Sequence, residues 1–197
     1  MKFLVVGSTG LIGSYVAKTL SKHGTVIGVS RTTQISVDVK DPASIKAMYE
    51  KVGKIDAVAS CIGKVAFKPV AELTYEDYLI GLKDKALGQV ELVRAGIDFL
   101  NDAGSFTLMT GVLARDPIPS GSVAALANGA IESFTLAAAI DLPRGIRINT
   151  VSPNVLVEAT SYHASFPGFH QVTAQSVADA YVKSILGKQT GQIYKLD

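Results

Sequence analysis

The stretch KFLVVGSTGLIG, residues 2–13, decides the class of the fold. Its first five residues read as a buried strand, Gly7 to Gly10 as a turn, and Leu11, Ile12 and Gly13 as the opening of a helix that runs to about residue 22. Glycines at 7, 10 and 13 permit a tight turn, let the backbone approach a bulky anion, and let helix and strand pack closely. The free N–H groups of the helix start favour negative charge, and Ser8 and Thr9 add hydroxyl donors. A plain strand-to-helix turn accounts for one glycine, not for three at this spacing beside a first strand. The stretch therefore reads as a cradle for the pyrophosphate of a dinucleotide.

Outward from it, β-rich apolar runs alternate with helical periodicity. Further strands are expected near 25–30, 34–39, 55–61, 105–110, 147–151 and 191–196, and helices near 11–22, 41–52, 75–100, 121–141 and 176–186. This alternation implies a doubly wound, mostly parallel α/β sheet, Rossmann-like, with helices on both faces and one domain over residues 1–197. Asp41-Pro42, Thr74 before Glu76 and Asp77, and Ser176 with Asp179 supply helix-starting oxygens or acidic first turns, and Gly187 supplies a stop. Between VIGVSR and ISVDV only Thr32, Thr33 and Gln34 remain, too few for a helical crossover, so 34–39 is expected as a short edge strand reached by a tight loop.

Hydrophobic residues make up 48% of the 197 and charged ones 18%, a balance that excludes a disordered chain. A net charge of +2 with dispersed Lys and Arg gives no phosphate-tracking surface, so no nucleic-acid partner is expected. The start MKFLVVG lacks the longer apolar region of a signal peptide, and the apolar segment 123–140 is interrupted by Asn128, Glu132, Ser133 and Thr135. No membrane partner is expected, and the location read from these features is cytoplasmic. Cys61 stands alone, which excludes an internal disulfide and supports no metal site.

At the end of the second strand, where a dinucleotide fold meets the adenosine ribose, the residues are Ser30, Arg31 and Thr32. An Asp or Glu there would pair with the free ribose hydroxyls of NAD(H); a guanidinium beside hydroxyls suits the 2′-phosphate of NADP(H). Arg31 is also consistent with a solvated residue on a short turn. The preferred cofactor is NADP(H) over NAD(H).

The order of parts resembles the short-chain dehydrogenase/reductase family over nearly the whole chain. The likeness is carried by GSTGLIG, by Asp38-Val39 before DPASI, by KIDAVASCIG, and above all by LPRGIRINTVSPN followed by TGQIY. The resemblance implies that Asp38 and Val39 contact adenine and that the turn Ser60-Cys61-Ile62-Gly63, altered from the family's Asn-Asn-Ala-Gly, flanks the cofactor with Cys61, Ile62 and Gly63. It also implies hydride transfer between a carbonyl and an alcohol. The proton in that reaction comes from a tyrosine whose phenolate an adjacent lysine favours, a serine orients the substrate oxygen, and an asparagine holds a water relay.

Matched residue by residue, the tyrosine position falls on Ala124, the lysine on Asn128, the serine on Gly111 beside Thr110, and the asparagine on Lys85. There is no tyrosine from 79 to 161 and no lysine from 86 to 182, so a shifted register does not restore the pair. The adenosine end is kept and the proton-transfer end is rewritten. Lys85 and Asn128 look like the family's Asn and Lys exchanged between two helices. Lys85 reads two ways, as an ammonium near the ribose hydroxyls or as a solvated lysine, since on a straight helix it lies about 95° from the stripe Leu82, Ala86, Val90, Val93, Ile97 and Leu100.

Other proton donors come from the loop 154–175, which in the family closes over substrate: Tyr162, His163 and, further on, His170. Thr110 is a candidate for orienting a ligand oxygen. Glu158 stands where the family often has a threonine for the nicotinamide amide, with Thr160 two residues away. Cys61 reads as a buried filler without an activating partner. The reading is thus a nicotinamide dinucleotide-binding protein with a degenerate active site, with an oxidoreductase using Tyr162, His163 or Lys85 as the alternative. A small-molecule ligand is possible in either. The alanine-rich helix 121–141 and helix 85–100 imply, by the resemblance, a homo-oligomer, a dimer or tetramer.

Overall fold

Largely apolar runs, most of them four to seven residues long, pair into one all-parallel sheet in a computed structural model that describes residues 1–197. The strands are β1 (Lys2–Val6), β2 (Thr25–Val29), β3 (Ile55–Ser60), β4 (Leu100–Met109), β5 (Arg147–Pro153) and β6 (Ile193–Leu196), in the spatial order β2-β1-β3-β4-β5-β6. The chain leaves β1 toward β2 on one side and returns to β3 on the other. That reversal opens a crevice at the carboxyl ends of β1 and β3, where open α/β sheets bind ligands.

Six helices cover the sheet: α1 (Leu11–Leu20), α2 (Pro42–Val52), α3 (Tyr75–Gly81), α4 (Gly88–Gly96), α5 (Ser122–Asp141) and α6 (Ala174–Leu186). One face carries α2, α4 and α5 over Leu4, Val6, Val58, Phe106 and Ile148, and the other carries α1 and α6 over Phe3, Val5, Ala57, Ala59 and Val151. Strands buried on both faces read as continuous apolar runs rather than alternating ones, which is why the sequence shows them as blocks. Asp41 caps α2 by accepting from Ala43 N–H, and Thr74 and Asp77 form a reciprocal capping box on α3.

Three expectations need correction. Residues 34–39 form no strand: the chain touches the edge of β2 through one bridge, Ser30 to Ser36, and then leaves for α2. The alternation Ile35, Val37, Val39 reflects an extended segment buried on one side, with Val37 fully inside, and not a ladder. The cap of α6 is Thr173, whose hydroxyl accepts from Ser176 N–H, three residues before the expected start. Finally, the helix expected over 75–100 is broken in its middle, where Leu82–Leu87 widens into a π-helical turn between α3 and α4.

Candidate functional site

The glycine turn is shaped by contacts that only glycine allows. Gly7 sits at φ +84°, and a Cβ on it would stand 2.6 Å from the carbonyl oxygen of Cys61; a Cβ on Gly13 would stand 2.0 Å from that of Gly7. Helix α1 thus presses onto the turn, and Gly10 begins it without a side-chain cap. Its first-turn N–H groups face outward with no capping oxygen, the arrangement that holds an anion. Gly7 N–H donates to the carbonyl of Val29 at 2.8 Å, tying the turn to the end of β2.

In front of this turn lies a cavity of about 360 Å³. Gly7, Thr9 and Gly10 form one wall and Ser30, Arg31 and Thr32 the second. Asp38 and Val39 line the third side, and Cys61, Ile62 and Gly63 the fourth. Ser30 is fixed by Thr32 and Thr33, whose hydroxyls bond its hydroxyl and its N–H. Arg31 is exposed and has no carboxylate partner, while Lys40 and Lys64 add positive charge to the rim and Asp84 a negative one. Four expected cradle residues lie outside this cavity. Ser8 turns beneath Gly28, its hydroxyl directed at the Val29 carbonyl, Gly13 is the helix–turn contact, Leu11 is largely exposed, and Ile12 faces the neighbouring cavity.

That second cavity, about 410 Å³, continues from the first past Cys61, Ile62 and Gly63. Fourteen of its 22 lining residues are hydrophobic, so its few polar groups stand out. They come from different elements: Thr110 after β4, Asn128 on α5, Asn154 after β5, Lys85 on the π turn, and Lys64 at the rim after β3. Ala124 and Gly111 line it too, so α5 presents a methyl group and an amide where the resemblance would have a phenol and an ammonium.

Lys85 enters this cleft because the helix is not regular. The angle of about 95° assumes 3.6 residues per turn throughout, and a π turn resets the phase between the segments on either side of it. Gln89 secures the distortion: its amide nitrogen donates to the Lys85 carbonyl at 3.1 Å and to the Met109 carbonyl at 2.8 Å, while its oxygen accepts from Met109 N–H at 2.8 Å. The Lys85 stem lies across Gly63, where a Cβ would meet its Cγ at 2.6 Å. No hydrogen bond or carboxylate partners the ammonium, and burial pushes its pKa down to about 8.

The remaining candidates sort cleanly. Tyr162 lines the cleft, half exposed, with its ring tilted against Phe67 at 6.2 Å. His163 does not line it; its ring nitrogen is bonded to the Leu156 carbonyl at 2.9 Å, and His170 is exposed. Thr110 lines the cleft, but its hydroxyl already donates to Glu132. Glu158 accepts from Ala174 N–H with both oxygens and so caps the start of α6, and Thr160 is exposed. Cys61 lines both cavities, and burial raises its pKa to about 12, which disfavours the thiolate. Glu132 and Gln89 were missed. The signal for Glu132 was present, since it is the one charged residue between Ser122 and Ile140.

A family model described as enoyl-(acyl carrier protein) reductase matches residues 10–191. A solved protein of Listeria innocua, lin1944, is 48% identical with a TM-score of 0.98, each chain covering all of the other. The chain belongs to the short-chain dehydrogenase/reductase family. Another solved member, a small-chain dehydrogenase in complex with NADPH, is 27% identical with a TM-score of 0.89, covering 100% of this chain and 96% of its own. Among curated relatives, a hydroxynaphthalene reductase of Aspergillus fumigatus is 25% identical over 175 residues, 76% of this chain and 64% of that protein. An uncharacterized oxidoreductase of Methylorubrum extorquens is 24% identical over 190 residues, 84% of this chain and 77% of its own. The family binds a nicotinamide cofactor, and the crevice at the carboxyl ends of β1 and β3 is where this member's glycine turn lies.

Proposed function

We propose that this family member binds NADP(H) in the first cavity and does not move protons through a tyrosine–lysine pair. The observation that carries the reading is the contrast at one crevice: a glycine turn that admits no Cβ at Gly7 or Gly13 stands beside a helix α5 offering Ala124 and Asn128 to the cleft. The cradle fits the cofactor. The uncapped start of α1 suits the pyrophosphate, and Arg31 with Ser30 and Thr32 suits a ribose 2′-phosphate, for which no competing carboxylate stands at the end of β2. Bound NADPH would supply a hydride; the cleft beyond it would hold a small ligand against apolar walls.

One observation favours a second reading, an oxidoreductase with an unusual acid. An ammonium with a pKa near 8 in an apolar cleft is mostly protonated at neutral pH and close enough to it to give up a proton, so Lys85 is a chemically competent donor, ahead of the half-exposed Tyr162. Self-association belongs to the same proposal. The outer face of α5 carries the exposed stripe Leu126, Ala130, Ser133, Ala137 and Ile140, with no charge along it, and its small residues allow a second copy's helix to approach closely.

Fluorescence titration with NADPH and NADH, followed by turnover assays on a broad carbonyl and alcohol panel, tests the reading. The expected result is NADPH affinity about tenfold or more above NADH, as one charge-assisted contact allows, with no turnover. Absence of affinity for either nucleotide, or turnover abolished by Tyr162→Phe, would overturn it; turnover abolished by Lys85→Met alone would select the second reading.

A further inference from the structure

Two polar groups of the second cavity, Thr110 and Asn128, have committed their donors away from it, whereas Asn154 accepts from Val155 N–H with its side-chain oxygen. Thr110 Oγ1 donates to Glu132 Oε1 at 3.0 Å, and the same carboxylate oxygen accepts from Ser152 Oγ at 3.0 Å. Ser152 is held in turn by Arg115, whose Nη1 donates to its hydroxyl at 2.8 Å and whose Nη2 also pairs with the Asp197 carboxylate. A threonine hydroxyl has a single proton. With that proton directed at Glu132, Thr110 meets the cleft as an acceptor. Asn128 behaves alike: its Nδ2 donates to the Gly111 carbonyl at 3.3 Å, and its Oδ1 is buried without a partner. Of the two lysines that line the cleft, Lys64 is exposed at the rim shared with the first cavity and Lys85 is half-buried, with no carboxylate partner.

We propose that the cleft takes a small, largely apolar carboxylate that also bears a hydroxyl group, its carboxylate paired with Lys85 and its hydroxyl donating to Thr110 Oγ1. This rests on the reading of the second cavity as the ligand site beside the dinucleotide cradle. A carbonyl in place of the hydroxyl would set acceptor against acceptor. To donate to it, Thr110 must release Glu132 and leave that half-buried carboxylate with one donor fewer, a loss that disfavours the oxo compound by about tenfold or more. A half-buried Lys85 ammonium among apolar side chains, with the second lysine of the lining, Lys64, exposed at the rim, matches one carboxylate better than a phosphate, which calls for several converging donors. The volume of about 410 Å³ accommodates a ring of six carbons with its substituents.

The test is calorimetric titration of nucleotide-free protein with 4-hydroxycyclohexanecarboxylate, 4-oxocyclohexanecarboxylate and 4-methylcyclohexanol, repeated with NADPH present. The hydroxy acid should bind about tenfold or more tighter than the oxo acid. Thr110→Val should bring the two acids within about twofold while Thr110→Ser keeps the preference, because only the serine retains the hydroxyl. Lys85→Met should weaken both acids and leave the neutral alcohol unchanged. An oxo acid that binds as tightly as the hydroxy acid, or a Lys85→Met protein that keeps its carboxylate affinity, would overturn the proposal. Because the titrations do not need nucleotide, a failure to bind NADPH would count against the proposed function and leave this result separately readable.

Discussion

The two ends of the crevice are made from the same kind of material, loops at the carboxyl ends of parallel strands, yet they hold their shape differently. At the β1–β2–β3 end the geometry is backbone against backbone: Gly7 against Cys61, Gly13 against Gly7, Gly7 N–H on the Val29 carbonyl. At the β4–β5 end side chains make the contacts: Thr110 on Glu132, Ser152 between Glu132 and Arg115, and the Asn128 amide on the Gly111 carbonyl. A backbone site has no residue-sized freedom, because any Cβ inserted there collides with atoms that cannot rotate away. A side-chain site can be rewritten one residue at a time while the fold remains.

The sharpest way to break this contrast is to add one methyl group at each end. Gly13→Ala puts a Cβ 2.0 Å from a carbonyl oxygen, an overpacking that costs about 3 kcal/mol. Its expected signature is a Tm lower by about 6–12 °C together with loss of measurable NADPH binding. Gly111→Ala, in the cleft, meets nothing closer than 3.6 Å and should leave Tm within about 2 °C. Differential scanning fluorimetry with and without NADPH reads both, and equal shifts for the two variants would remove the distinction between the ends.

A smaller effect sharpens the cradle itself. Arg31 is exposed and unpaired by any carboxylate, so its removal should cost the fold almost nothing. Arg31→Ala should lower NADPH affinity by about 10- to 100-fold, the loss of one or two charge-assisted bonds, and leave NADH affinity unchanged. A parallel fall for both nucleotides would mean that Arg31 acts on the shape of the Ser30–Thr33 turn and not on a phosphate.

The same division governs what could be read in the sequence. The backbone end was legible because its requirement is a residue type: glycine at 7 and 13 has no substitute, and the succession of strands along the chain shows as apolar blocks. The run 34–39 misled because alternation reports one-sided burial, which an extended segment achieves with or without a ladder. The cleft was legible in its departures from the family, at Ala124, Asn128, Gly111 and Lys85, and in the candidates Thr110 and Tyr162, all of which line it. The placement of Lys85 was hidden by a π turn that no 3.6-residue period contains, held by a buried Gln89 whose bonds run to a strand twenty residues away. The commitment of Thr110 to Glu132 is likewise a contact between distant segments, marked in the sequence only by a charge in an apolar helix.

The smallest expected effect lies with Lys85, and its sign separates stability from function. Its folded pKa is lowered to about 8 by burial, whereas an unfolded lysine titrates near 10.4. Below pH 8 both states hold the proton and the folded state carries the full cost of burying the charge. Between about 8 and 10.4 the unfolded state binds more protons than the folded one, so stability rises with pH, and above that window the cost is gone. Replacing the ammonium with an apolar side chain of similar length, Lys85→Met, should therefore raise Tm at pH 7. Partial exposure discounts the full shift to about 1 kcal/mol, or about 2–4 °C. The gain should shrink toward zero by about pH 10.4. A Tm that falls at pH 7, or a gain independent of pH, would mean the ammonium is well solvated and the cleft holds no desolvated charge. A carboxylate occupant would act oppositely, raising the Lys85 pKa and stabilising the wild-type protein most below pH 8, so ligand affinity should decline as pH rises through that value. The cradle stores no such cost, because the backbone N–H groups of its anion site donate hydrogen bonds without titrating in this range.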